Sequence, residues 1–146
     1  MTAGRLVWTP ALSVGHRGLD QDHRDLFALV NRFVGSPDLA AARRALIEVD
    51  SYARGHFSRE EEVMRLAGFD GLAEHRVLHA RLLGDIKRLL LTDLVEDARR
   101  PPAAAIRAVA ALLDAWMFDH VMVEDLKMRV AVAELARRIV AQRAGS

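Results

Sequence analysis

Apolar side chains return along this chain at alternating steps of three and four, the period of a helix that buries one face. The clearest run is Leu72, His75, His79, Leu82, Ile86 and Leu89. Val49, Tyr52, His56, Glu60 and Val63 form a second run upstream, and His23, Leu26, Val30 and Phe33 an earlier one. A fourth comes in two parts: Ile106, Val109, Leu113, Trp116 and His120, then Asp125, Met128, Val132, Leu135 and Ile139. Helix breakers fall between the runs. Thr9-Pro10, Gly15 and Gly18 interrupt the start; Gly35-Ser36-Pro37, Gly68 with Asp70 and Gly71, and Arg99-Arg100-Pro101-Pro102 separate the rest. The pattern predicts an N-terminal arm over 1–18, extended across the body, and helices at about 19–34, 38–66, 71–97 and 103–142, with Asp20 capping the first. No run has strand period. Short connections make long amphipathic neighbours antiparallel, so the expected fold is all-α, an up-down-up-down four-helix bundle with an N-terminal arm, one domain over 1–146.

The stripes contain residues that a core should not. Five of the six histidines and two acids occupy inward positions: His23, His56, Glu60, His75, His79, His120 and Asp125. An unpaired buried imidazole or carboxylate costs several kcal/mol, so seven on one seam need a compensating partner. A metal cluster is that partner. The i,i+4 spacing of His56 with Glu60, and of His75 with His79, stacks two donors on one helix face, within reach of a single ion or of adjacent ions. A lone inward histidine is more often a hydrogen-bonded core residue than a ligand; five with two acids are not explained that way. His16 lies in the Gly-flanked arm, off every stripe, and is assigned to the surface or to packing of the arm. Glu61 and Glu62 read as a solvated helix face, and Trp116, Phe57, Phe27 and Met64 as core.

The fourth stripe slips by one residue between His120 and Asp125, a step of five. Glu124 stands at i+4 from His120, but choosing it leaves Met128, Val132 and Leu135 out of phase with the core. Asp125 is therefore the expected inward acid, with a wide turn or π-bulge near residues 120–125 absorbing the slip.

Composition narrows the chemistry. Without any cysteine the chain has no disulfide, iron–sulfur cluster, thiolate zinc site or covalently attached haem, so a metal must use nitrogen and oxygen ligands. A net charge of +1, with acids interspersed among the arginines, gives no general attraction to nucleic acid. No apolar stretch approaches the ~20 residues that span a bilayer, and the start has no continuous apolar leader; no membrane insertion and a cytoplasmic location are expected. Seven donors exceed one octahedral ion but suit two ions bridged by the carboxylates with one coordination position left over, and imidazole with carboxylate suits iron. The carboxylate-rich di-iron oxidases project Glu-x-x-His pairs inward, and this chain has none. Its histidine-rich set leaves more positive charge on the metals, which disfavours high-valent iron and favours reversible binding.

The motifs Leu19-Asp20-Gln21-Asp22-His23, His56-Phe57-Ser58-Arg59-Glu60-Glu61, His75-x-x-x-His79 and Trp116-x-x-x-His120-x-x-x-x-Asp125 resemble those of the haemerythrins, bacteriohaemerythrins in particular, over roughly residues 8–128. The resemblance implies two non-haem irons bridged by an oxo or hydroxo group and by Glu60 and Asp125. His75, His79 and His120 would hold one iron, and His23 and His56 the other, where O2 binds as the ligand. It implies reversible O2 binding for storage or delivery by a non-enzyme, a monomer, with an oxygen-consuming enzyme as recipient; the alternatives are a sensor of O2, NO or redox state, or a di-iron oxidase or peroxidase. Three positions depart from the family pattern. Asp22 replaces a common amide and adds a charge near the site, Met128 stands where an aromatic residue is expected, and His16 is unexpected in the arm.

Overall fold

In the computed structural model, which describes residues 6–92 and 101–145, three helices and a segmented rod make up the body. They are α1 (Arg17–Gly35), α2 (Leu39–Ala67) and α3 (Leu72–Leu90). The rod consists of α4 (Pro102–Asp114), a π-helical stretch (Ala115–Glu124), a 3-10 turn (Asp125–Met128) and α5 (Arg129–Ala144). Among the described residues there is no strand, and no helix is long and apolar enough to cross a membrane. The part of the third helix expected over 93–97, and the break at Arg99-Arg100, lie outside the described residues, as do residues 1–5 of the arm.

The ends form where the local chemistry asks. Asp38 accepts from the Ala41 N–H at 2.7 Å and so satisfies one of the free donors that begin α2. Gly68 takes the left-handed conformation, φ 67° and ψ 34°, and lets the Phe69 N–H reach back to the Met64 carbonyl at 3.0 Å. With connections as short as these, α1, α2 and α3 run alternately up and down, and α2 packs against both neighbours and against the rod. Ala41, Ala42, Ala45 and Ala53, all buried on α2, permit that close approach.

Two expectations for the first helix are corrected. It begins at Arg17, and its cap is His16, whose Nδ1 accepts from the Leu19 N–H at 3.1 Å. Asp20, already inside the helix, turns outward to the arm instead, accepting from the Ser13 hydroxyl at 2.6 Å and the Val14 N–H at 2.9 Å. The arm is thereby drawn onto the body, with Val14 fully buried. Arg129 holds it from the other side through the carbonyls of Ser13, Pro10 and Ala11 at 2.8, 3.1 and 3.1 Å.

The rod resolves the phase slip. Its backbone stays right-handed helical through both junctions, so the π stretch is a local widening of one continuous helix rather than a break. The widening covers ten residues, more than the single turn expected near 120–125. It delivers both His120 and Asp125 inward, while Glu124 faces outward and pairs with Lys127 at 2.9 Å. Beyond the slip, Met128 and Val132 are buried, but the stripe expected to continue to Ile139 is not: Ile139 is 42% exposed.

The interior has three layers. One apolar cluster holds Leu26, Val30 and Phe33 of α1 with Val49, Ala53 and Phe57 of α2, Leu82 and Ile86 of α3, and Val109, Leu113, Trp116 and Met117 of the rod. A smaller one holds Val14, Leu19, Val63, Met64, Ala67, Met128 and Val132. Between them lies a polar layer to which α1, α2, α3 and the middle of the rod contribute: His23, His56, Glu60, His75, His79, His120 and Asp125, all buried.

Candidate metal centre

The seven side chains converge as two nests that share their acids. Glu60, His75, His79, His120 and Asp125 form one; His23, His56, Glu60 and Asp125 form the other; and within each the donor atoms lie inside 4.8 Å of one another. The shared carboxylates divide their oxygens. Glu60 turns Oε1 to the Nε2 atoms of His75 and His79, at 2.8 and 3.0 Å, and Oε2 to those of His23 and His56, at 3.3 and 3.2 Å. Asp125 does likewise, with Oδ1 at 2.9 and 3.0 Å from His75 and His120 and Oδ2 at 3.1 Å from His23. Every imidazole thus presents Nε2 to a carboxylate oxygen that belongs to its own nest.

Hydrogen bonds to Glu60 account for His23, His75 and His79 but not for the rest of the arrangement. Both oxygens of Asp125, and Nε2 of His56 and of His120, are buried without a hydrogen-bond partner although they lie close to one another. Atoms that approach at about 3 Å with unsuitable angles, converging from several helices, form a group able to hold a metal ion. Nitrogen and oxygen donors of this kind suit first-row transition ions.

Outer groups orient two of the rings. Nδ1 of His56 lies 3.0 Å from Asp22 Oδ2, and Nδ1 of His79 lies 2.7 Å from Glu61 Oε2. An ionised carboxylate only accepts, so in both rings Nδ1 carries a proton, and Nε2 is the nitrogen left to donate a lone pair to a bound metal. Tyr52 stacks on His56 with centroids 5.1 Å apart and donates its hydroxyl to the Asp22 carbonyl at 2.7 Å. Phe57 lies flat on His79 at 3.9 Å, with Trp116 behind it. Trp116, Phe57, Phe27 and Met64 are core, as read from the sequence, and Glu62 sits on the solvated face. Glu61 does not. Its neighbour relation to Glu60 concealed a contact across to α3 that spacing along α2 could not reveal.

Charge in the layer is strongly coupled. Burial works against protonated imidazole, but the Asp125 and Glu60 carboxylates outweigh it and hold His23 up at about 10 and His120 at about 9. His75 is raised by the same pair, and His56 by Asp22 and Glu60. Burial and the nearby Glu60 charge both push the Asp125 carboxyl up, yet the surrounding histidines bring it down to about 2. Two buried carboxylates require cations, and without metal protons on the histidines serve. A histidine whose pKa rises on folding stabilises the fold fully below its unfolded value of 6.5 and loses that contribution as pH climbs through 9 to 10. An acid whose pKa falls contributes above its unfolded value of 3.8 and loses it as pH drops toward 2. Chelator-treated protein is therefore expected to be most stable between those two unfolded values and to weaken toward pH 10 in denaturant titrations. Metal-loaded protein should show the opposite alkaline trend, because metal binding competes with those protons. Parallel profiles for the two forms would refute the exchange of metal for protons.

Comparison with known proteins agrees in extent with this layer. A family profile described as "Hemerythrin HHE cation binding domain" matches residues 14–131, which include all seven residues. A protein of Stenotrophomonas maltophilia (strain R551-3) named "Bacteriohemerythrin" is 31% identical over 123 residues, covering 82% of this chain and 76% of its own length. "Myohemerythrin" of Riftia pachyptila is 28% identical over 84% of this chain and 90% of its own, and a "Hemerythrin-like protein" of Naegleria gruberi 24% identical over 84% and 89%.

Proposed function

This chain belongs to the haemerythrin family, and on that premise we propose that its polar layer is a non-haem di-iron centre that binds O2 reversibly, for storage or delivery. In this reading His75, His79 and His120 would hold one iron and His23 and His56 the other, with Glu60 and Asp125 available to both. The observation that carries it is the division of oxygens: each buried carboxylate gives one oxygen to each nest, the disposition of a bridge between two ions. Two irons held there would supply a two-electron ferrous–ferric couple capable of taking up O2 and releasing it.

The residues of the chain support a carrier over an oxidase. With five neutral imidazoles against two carboxylates, the ligands add little negative charge, which is the wrong bias for stabilising high-valent metal. The two apolar clusters flank the layer, and all seven of its side chains are buried. One nest has three histidines and the other two, so an ion on the side of His23 and His56 would have fewer protein ligands.

The test is optical. Protein as purified should contain close to two irons per chain, and a reduced sample exposed to air should develop a new absorption band that disappears on degassing and returns with air. One zinc per chain and no iron would refute the centre. Steady consumption of reductant under air would make the protein an oxidase instead.

A further inference from the structure

Outside the two nests, two ion pairs repeat one design. Asp22 Oδ2 meets both His56 Nδ1 and Arg59 Nε, each at 3.0 Å. Glu61 meets His79 Nδ1 through Oε2 at 2.7 Å and Arg76 Nε through Oε1 at 3.2 Å. One of these histidines belongs to each nest. The carboxylates are largely covered, whereas the arginines are 55% and 54% exposed.

We propose that Asp22 and Glu61 are positioning residues that set the electron density at the two metal positions separately, each through one ligand imidazole and each moderated by a surface arginine. The proposal rests on the di-iron reading above. A carboxylate on Nδ1–H pins the ring with Nε2 inward and draws the proton outward, which makes Nε2 a more basic donor and favours the ferric state of whatever iron it holds. An arginine on the same carboxylate withdraws part of that charge. The two arms differ in how they share it. At Asp22 the guanidinium and the imidazole compete for one oxygen, so His56 receives a weakened push. At Glu61 each has its own oxygen, and the shorter contact goes to His79. The three-histidine position is thus the more electron-rich of the two, beyond what its extra ligand alone provides.

Amide variants preserve an acceptor for Nδ1–H and remove only the charge. Iron-loaded E61Q is expected to show a higher midpoint potential than wild type in a redox titration, and D22N a smaller rise. R76A and R59A should move the potential the other way, because each frees its carboxylate to act fully on the ring. Both arginines are exposed, so these variants fold whatever their effect. As a readout independent of iron chemistry, Co(II) affinity should fall roughly tenfold in E61Q, the low end of what loss of such a partner typically costs. A structural role alone would not give opposite signs for the acid and its arginine. Shifts of the same sign in E61Q and R76A, no shift in either, or a larger shift in D22N than in E61Q would overturn the proposal. Wild-type protein that binds no iron would instead remove the reading on which it rests.

Discussion

Replacing Asp125 with alanine is expected to strip the protein of most of its iron, while the same change at Glu124, its neighbour, leaves iron content and spectrum nearly intact. Asp125 lies within 3.1 Å of donors in both nests, so on the di-iron reading its loss would remove a ligand from each metal at once. It also leaves histidines of both nests facing only Glu60 for compensation. Glu124 forms a surface pair with Lys127 in which it is itself 29% exposed, and such pairs contribute between zero and about 1 kcal/mol. Iron analysis and the near-ultraviolet absorption of coupled ferric ions measure both variants. Iron retained in Asp125→Ala and lost in Glu124→Ala would mean that the π stretch turns the other acid inward, contrary to the geometry described.

Removing the metal is expected to produce the second large effect. A ligand that binds only the native state at a thousand times its dissociation constant stabilises the fold by roughly 4 kcal/mol. For a chain of this size that corresponds to a fall in Tm on the order of 10 °C when iron is extracted with a chelator under reducing conditions. The loss should concentrate in the polar layer, because the apolar clusters on either side need no metal. Hydrogen exchange should accelerate around His56, His79 and His120 more than around Val49 or Leu113. Equal melting temperatures with and without iron would show that hydrogen bonds alone satisfy the seven residues.

Much of this was legible before any coordinates. The periods of three and four put His23, His56, His75, His79 and His120 on inward stripes, and the five-residue step at His120 identified Asp125 over Glu124. These are properties of a single helix, where spacing alone decides which face a residue occupies. Helix ends were equally local at Asp38 and Gly68, where one side chain or one left-handed residue suffices. They were not local at the first helix. There the arm competes for Asp20, and His16, a residue with weak capping preference, takes the cap that Asp20 leaves.

The chain's own pattern determined the bundle and which seven polar residues share its buried layer, because burial follows a periodicity written in one dimension. Tertiary structure alone decided how Glu60 and Asp125 divide their oxygens between two nests, and that Glu61 and Asp22 stand behind His79 and His56. Glu61 lies roughly 100° around the helix from Glu60, a direction that reads as solvent until α3 is packed alongside. Contacts between helices depend on crossing geometry, on side-chain rotamers and, in the rod, on a widening whose ten-residue extent the five-residue step did not specify.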